Sequence, residues 1–370
     1  MREAIHVGIS LGNLGSLIDG LGEFSNQLCL RLAAQAPALR EEHGIELTFH
    51  LRESLWGCFG EDVHYLSVDR WQRLRHVQPR RFALWHTLNQ LNKTLPPQGT
   101  KKRLLTVHDL NFLYFKSGFS QWRNMRRLRA RLAHTDHIVT ISDYVRRDVQ
   151  QHLQWRGPIE VIYNGARSLV DVPREAVPEL QGRPFLFHLS RMSASKNIDA
   201  LLALARHWPG MHFVFAGPEG RDSRAVREQV STGGLSNVSV MLSISDAQKA
   251  WLYANCTAFL FPSLTEGFGL PPIEAMHFGK PVFLSERTCL PEIGGEVAAY
   301  FPDFEAPKMQ QVVERNLPRL QAQSGKIRKH AARFDWDAAA QRYLHLYLQL
   351  TGSVAVQAIP SAREHAAIAL

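Results

Sequence analysis

Cysteine is scarce in this sequence and long apolar runs are missing, and each shortage closes off a class of protein. Cys29, Cys58, Cys256 and Cys289 are the only four in 370 residues, and they form no Cys-x-x-Cys pair. Such scatter argues against a disulfide framework or a zinc knuckle, so the four read as reduced thiols. The longest apolar stretches, such as "FVFAG" and "AFLF", fall far short of the roughly 18 to 20 residues that span a bilayer. The opening "MREAIHVGIS" has no signal-peptide apolar core, and a cytoplasmic chain is expected. No repeat of solenoid length is present. Neither half carries Gly-x-Gly-x-x-Gly with an acid about 20 positions later, which disfavours a dehydrogenase. No RNA-binding motif, helix-turn-helix or long basic tail points to a nucleic acid, and "HTDH" with His134 and His137 is too weak a pattern to assign a metal.

What the sequence does hold is length, apolar content and an uneven charge. A 45% hydrophobic chain of 370 residues exceeds the size at which one core stops growing, so two domains are expected. Residues 1–172 contain 23 Lys plus Arg against 16 Asp plus Glu, which places +7 of the formal +9 in the first half. That half is expected to face something anionic. Arginines crowd "WQRLRHVQPRR" and "WRNMRRLRARLAH", with Trp71, Phe82, Trp85, Phe119 and Trp122 interspersed. Membrane-adsorbing faces share this pattern with ordinary solvated helices.

Short apolar runs alternate with helical patterns twice along the chain, the signature of parallel sheets with crossover helices. The first series uses "IHVGIS", "IELTFHL", "KRLLTVHDL" and "HIVTIS", with "EFSNQLCLRLAAQAPALR" read as one helix. The second uses "FLFHLS", "MHFVFAG", "VSVML", "AFLFPS" and "PVFLS". The expected division is a first domain over 1–172, a linker over 173–183 marked by Pro173, Pro178 and Pro184, and a second domain over 184–335. A last helix follows over 336–350, with Trp336, Ala340, Tyr343, Leu344, Tyr347 and Leu348 on one face, and then a weakly patterned tail over 351–370.

Chemistry concentrates in "PSLTEGFGLPPIEA", residues 262–275. A buried strand ends there, a glycine turn follows, and a helix begins with proline where a missing N–H costs least. Gly267 and Gly269 allow close backbone approach, and the helix N-terminus suits an anion. Glu266 and Glu274 bracket the turn at a spacing too long for one helical face, so they reach different parts of an elongated ligand; carboxylates suit vicinal hydroxyls. The plainer alternative leaves Glu274 stabilising the helix start and Glu266 capping a loop. Arg191 and Lys196 in "LSRMSASKN" follow a strand at the same sheet edge, where guanidinium and ammonium can meet a pyrophosphate from separate directions. Gly20 and Gly22 in "DGLGEF" stand before a helix, and His108 with Asp109 follows a strand. Ser142 and Asp143 most simply cap a helix, and Asn164-Gly165 most simply turns the chain.

Together these segments resemble the retaining nucleotide-sugar glycosyltransferases of family four. The resemblance is carried by "DGLGEF", "TVHDL", "VTISDYVRRDV", "VIYNGA", "LSRMSASKN", "FPSLTEGFGLPPIEAMHFGKPV" and "LPEIGGEVAAYF". It implies an α/β protein of two Rossmann-like domains facing across a cleft, the GT-B arrangement, whose last helix crosses back to the first domain. It further implies that Arg191 and Lys196 bind the donor diphosphate, Glu266 contacts the transferred sugar, and Glu274 holds the ribose. Gly20 and Gly22 would form a loop over the donor phosphate, Gly267, Phe268, Gly269 and Leu270 would receive the donor at the helix start, and His108 would lie near the sugar and acceptor. Two departures, Ser190 where glycine is frequent and Leu21 between Gly20 and Gly22, bear on loop path more than on chemistry.

The donor implied is a nucleoside diphosphate sugar, with GDP-mannose first because "LPEIGG" looks like the mannosyltransferases of O-antigen assembly; no cofactor and no metal is required. The implied acceptor is a glycan or lipid-linked saccharide of surface polysaccharide or lipopolysaccharide synthesis, and the +7 first half with its arginine-aromatic segments is expected to meet it by peripheral association with an anionic membrane at the inner face of the cytoplasmic membrane. Glucosyl, rhamnosyl or N-acetylhexosaminyl transfer, or a non-catalytic sugar-nucleotide-binding subunit, are the alternatives.

Overall fold

A computed structural model describes residues 4–12, 14, 20–115 and 117–354. Strands buried on both faces need continuous apolar side chains, and the runs of Val, Ile, Leu and Phe become two all-parallel sheets. The first series is β1 (Ile5–Ser10), α1 (Gly20–Ala34), α2 (Ala36–His43), β2 (Ile45–Leu51), β3 (His64–Ser67), β4 (Leu84–Thr87), β5 (Lys102–Val107), α3 (Phe112–Phe115), α4 (Gly118–Leu132), β6 (His137–Thr140), α5 (Asp143–Leu153) and β7 (Ile159–Val161). Its sheet runs β3-β2-β1-β4-β5-β6-β7. The stretch read as one helix divides into α1 and α2, with a proline in the first turn of α2, where it cannot continue the preceding ladder.

Three of these strands, β3, β4 and β7, are absent from the sequence reading. β4 is four buried residues directly after an arginine-rich stretch, yet it pairs with β1 at the centre of the sheet. Its Trp85 is 1% exposed and Phe82 just before it 2%; the two rings meet edge-on at 5.0 Å. Gly8 of β1 makes room for them, since a Cβ there would lie 2.1 Å from the Trp85 ring. Phe82 and Trp85 are therefore core residues and not part of a membrane-adsorbing face, unlike Trp71, Phe119 and Trp122, which are exposed.

The second series is β8 (Phe185–Leu189), α6 (Ile198–His207), β9 (His212–Gly217), α7 (Arg221–Thr232), β10 (Val238–Leu242), α8 (Asp246–Asn255), β11 (Ala258–Phe261), α9 (Leu270–His277), β12 (Val282–Ser285), α10 (Leu290–Gly294), β13 (Ala299–Phe301), α11 (Ala306–Ala322) and α12 (Ser324–Ala331), followed by a last helix, α13 (Trp336–Thr351). Its sheet runs β10-β9-β8-β11-β12-β13. The order reverses between β8 and β11, which makes their carboxyl ends the place where a parallel sheet leaves room for a ligand.

The chain divides into two compact units, Ala166–Asp335 forming one and the residues before and after it the other. The segment expected as a linker, 173–183, is packed into the second unit. Val177 and Leu180 are each 2% exposed, and the Glu175 carboxylate accepts from Gln248 Nε2 at 2.9 Å and Ser245 Oγ at 3.2 Å. Apolar side chains in that stretch need burial more than the prolines need freedom. The chain leaves the first unit at Gly165 and returns at Trp336. Gly165 has no space for a side chain there, because a Cβ would lie 2.3 Å from the Trp336 backbone nitrogen.

Helix α13 completes the first unit. Its buried residues include Trp336, Ala340, Tyr343, Leu344 and Tyr347. Asp337 pairs with Arg31 at 2.5 Å and Arg342 with Glu160 at 3.1 Å. The Tyr347 hydroxyl meets Nδ1 of fully buried His86 at 2.6 Å, while His86 Nε2 meets Thr106 Oγ1 at 2.8 Å. Burial drives the His86 pKa down to about 3, helped by nearby His108. His50, His108, His137 and His188 are each lowered to about 4, again chiefly by burial.

All five rings stay neutral in the folded protein at a pH where an unfolded chain, with histidine near 6.5, is protonated. Their contribution to stability is present above about pH 6.5 and lost as pH falls toward 4. Stability to urea is therefore expected to fall steeply from pH 7 to 5, with proton uptake by these five rings on unfolding rising from about one at pH 7 to more than about four near pH 5. A flat stability profile across that interval would contradict it.

Candidate active site

The loops that leave β8 and β11 carry most of the residues singled out in the sequence, and the strand reversal makes them neighbours. The Leu264 N–H donates to Ser195 O at 2.7 Å, tying one loop to the other. Across that tie the Lys196 ammonium is paired with Glu266 Oε1. Both side chains are largely withdrawn from water, at 14% and 13% exposure, so the pair is screened less than a surface bridge. Ser263 Oγ adds a hydrogen bond to the same carboxylate oxygen at 2.7 Å, and the ammonium also lies 5.3 Å from the centre of the Phe261 ring. Glu266 is thus held from two sides, whereas Arg191 is exposed.

The turn that follows Glu266 is fixed from below. The Glu266 N–H donates to Thr288 Oγ1 at 3.1 Å, and the buried Cys289 thiol lies 3.1 Å from Phe268 O. Ser285 Oγ donates to Ser263 O at 2.5 Å. Phe268 itself is 3% exposed, with its ring edge-on to Phe334 at 5.7 Å. Gly269 has φ 97° and ψ 64°, a left-handed conformation that glycine adopts without strain. Helix α9 begins at the next residue, Leu270. Pro271 and Pro272 have no N–H, so the amides left for a ligand at this end are those of Gly269 and Leu270.

Glu274, one turn along α9, is positioned by a residue that the sequence reading missed. The hydroxyl of fully buried Tyr253 in α8 donates to Glu274 Oε2 at 2.8 Å. Burial raises the phenol pKa well above its usual value, and the Glu274 charge adds to the rise, so Tyr253 remains a donor. Nothing in "WLYANC" marks that tyrosine apart from a core residue; only the packing of α8 against β11 and α9 does.

Ser190, the departure from glycine, has a definite place. His188 Nδ1 faces Leu260 O at 2.8 Å, and a carbonyl only accepts, so the proton is on Nδ1. Its Nε2 then accepts from Ser190 Oγ at 2.7 Å, and Ser190 Oγ accepts the Met192 N–H at 2.9 Å. One relay therefore links β8 to β11 and sets the start of the Arg191–Lys196 loop, in which Met192 takes φ 54° and Asn197 φ 56°.

His108, Gly20 and Gly22 belong to the first unit. Gly20 and Gly22, expected in the turn before a helix, form the first turn of α1, and most of the residues just before them lie outside the described ones. His108 directly follows β5, buried, with Nε2–H donating to Leu88 O at 2.8 Å and its backbone N–H donating to Gln90 Oε1 at 3.1 Å. Its ring meets Phe24 edge-on at 4.5 Å. With burial holding it neutral, Nδ1 is the nitrogen left to accept. Ser142 caps α5, receiving the Val145 N–H at 3.2 Å. The sequence has one Asp-x-Asp, Asp335-Trp336-Asp337, in which Trp336 is buried and Asp337 is paired with Arg31. Among the described residues no group of three or more His, Cys, Asp or Glu side chains is placed to hold a metal ion.

Two family models match successive parts of the chain. Residues 172–299 match the family model described as "Glycosyl transferases group 1" and residues 32–167 the model "Glycosyltransferase Family 4". Over 247 residues the chain is 25% identical to the O-antigen chain mannosyltransferase RfbU of Salmonella typhimurium, covering 65% of this chain and 68% of that one. It is 28% identical over 205 residues to the serotype-specific mannosyltransferase WbdA of Escherichia coli, a match that spans a quarter of WbdA's length. The fold aligns with a solved sucrose-phosphate synthase from Thermosynechococcus elongatus at a TM-score of 0.72 and 20% identity, over 95% of this chain and all of the other.

A Gly269→Ala change tests how much the turn depends on its backbone. The substitution forces a side chain into positive φ with its Cβ 2.9 Å from Leu290 Cδ2, which should cost about 1–3 kcal/mol. Thermal unfolding should register that loss; a variant as stable as the parent would show that the turn relaxes freely.

Proposed function

We propose that this chain, which belongs to the glycosyltransferases by its group 1 and family 4 domains, is a retaining hexosyltransferase that moves mannose from GDP-mannose. The acceptor in this reading is a saccharide or lipid-linked glycan of surface polysaccharide or lipopolysaccharide synthesis. The observation that carries the donor half is the Lys196–Glu266 pair between adjacent loops at the strand reversal. One residue there suits a phosphate and its partner a sugar hydroxyl, so a single ligand with both groups fits the place. The mannose assignment draws its support from the names of the O-antigen relatives.

In this reading the leaving group is the nucleoside diphosphate. Lys196, Arg191 and the Gly269 and Leu270 amides, with the dipole of α9, oppose the charge that grows as the anomeric C–O bond breaks. Glu274, oriented by Tyr253, accepts from the ribose hydroxyls. The acceptor oxygen bonds to the anomeric carbon on the face that the diphosphate leaves, and its proton passes to the departing phosphate oxygen, which preserves the anomeric configuration. Glu266 is engaged by Lys196 and Ser263, an arrangement suited to holding sugar hydroxyls more than to attacking carbon. Neutral His108 is assigned to accept a hydrogen bond from sugar or acceptor through Nδ1, and Gly20 and Gly22 are assigned to the donor phosphate; both assignments rest on the family resemblance. No cofactor beyond the donor is needed, because the cationic side chains supply the charge.

Titration calorimetry with GDP separates these roles. Lys196→Ala should weaken GDP binding roughly tenfold or more, the value of one charge-assisted hydrogen bond. Glu266→Ala should keep or tighten GDP binding, because it frees the ammonium, while lowering turnover about a hundredfold. Equal loss of GDP affinity in both variants would end the division of labour. A panel of nucleotide sugars, scored by slow hydrolysis, identifies the donor, and a protein that hydrolyses none of them while binding GDP would be a silent subunit.

A further inference from the structure

We propose that the exposed face of α3 and α4 in the first unit docks onto the interfacial region of an anionic lipid bilayer. It stands on this surface alone and does not need the donor assignment. Of the 15 residues in α4, only Leu128 and Leu132 are buried. Phe119 is 71% exposed and Trp122 55%, and Tyr114 and Phe115 of α3 are each 48% exposed. Single exposed rings are ordinary on a soluble surface, but these are organised. Phe119 and Trp122 stack at 5.5 Å with 27° between their planes. The guanidinium of Arg123 sits 6.0 Å from the Phe119 ring centre, and that of Arg126 5.2 Å from Trp122.

Charge gives this face its partner. Between Asp109 and Asp136 the sequence has five arginines and one lysine and no carboxylate. Arg131 turns inward, to the Asn92 and Thr94 carbonyls, whereas Arg123, Arg126, Arg127 and Arg129 are exposed. The carbonyls that Arg131 reaches belong to a loop whose other side carries the second arginine-rich segment. The Leu95 N–H donates to Gln72 O at 2.9 Å and the Gln98 N–H to His76 O at 2.8 Å. Next to those acceptors Trp71, Leu74 and Val77 are 58%, 69% and 56% exposed, with the Arg70 guanidinium 5.1 Å from the Trp71 ring centre. The same motif of ring and guanidinium thus flanks one loop on both sides.

Such a motif matches the depth profile of a membrane surface. Indole and phenyl rings favour the headgroup level, and a guanidinium lying beside each ring reaches lipid phosphates without leaving it. Single-stranded nucleic acid stacks its bases on bare ring faces, but here Phe119, Trp122 and Trp71 each already have another ring or a guanidinium against them. A protein partner is a poorer fit, because interface cores are depleted of charge and arginines here alternate with the rings. No helix among the described residues is long and apolar enough to cross a membrane, so the contact is adsorption onto one leaflet.

Sedimentation with phosphatidylglycerol-rich and with pure phosphatidylcholine vesicles, without donor or acceptor, tests the proposal. The parent protein should partition onto the anionic vesicles, and less so as salt rises. A Phe119→Ser/Trp122→Ser variant and an Arg123→Gln/Arg126→Gln/Arg127→Gln variant, each with unaltered circular dichroism and thermal unfolding, should bind roughly tenfold more weakly. Brominated lipid should quench part of the tryptophan emission, and a Trp122→Phe variant should lose part of that quenching. Equal sedimentation of parent and both variants, quenching untouched by Trp122→Phe, or displacement from vesicles by a single-stranded oligonucleotide of matched charge would each overturn it. GDP binding by the same variants should remain at the parent level, so failure of the surface and failure of the donor site read out separately.

Discussion

Two loops leave neighbouring strands of the second sheet, and an ammonium from one meets a carboxylate from the other. Much of the local architecture serves that meeting. The Ser195 carbonyl holds Leu264, Ser263 holds the carboxylate, and Thr288 and Cys289 hold the backbone that carries it. A partly buried pair is expensive to leave half-made, because either partner alone is an uncompensated charge away from water. The two loops are therefore bound to move together, and a ligand that draws on one side chain necessarily perturbs the other.

A neutral imidazole reinforces this from within the sheet. His188 spans the same two strands, and its low pKa keeps the Ser190 relay oriented one way across ordinary pH. Were the ring to protonate, its acceptor nitrogen would become a donor facing the serine hydroxyl, and that hydroxyl would have to reorient. Serine in place of glycine thus exchanges backbone freedom at the loop entrance for a hydrogen-bonded fixed point.

The second unit was largely legible in the sequence, because its strands are uninterrupted runs such as "FLFHL" and "FVFAG" and its turns are punctuated by glycine and proline. The residues of the candidate site were legible for the same reason: the glycine turn ahead of Pro271 and Pro272 announces a helix start. What supports them was not. Tyr253 and His188 look like any core aromatic until packing brings Glu274 and Ser190 beside them. In the first unit β4 was missed because four residues following two arginines give no periodicity, and Trp85 was misplaced with it. The linker was misplaced because prolines mark stiff chain as readily as free chain, while burial of Val177 and Leu180 is a tertiary fact.

The first unit is discontinuous, with its last helix encoded after the whole of the second. On a ribosome, residues 166–335 emerge complete while the sheet of the first unit still waits for Tyr343 and Tyr347 to cover His86 and Thr106. Until α13 arrives, an apolar and partly polar surface stays open to water and to other nascent chains. The half that begins synthesis first is thus the half that finishes folding last, and its final step hangs on a segment more than 150 residues downstream of β7.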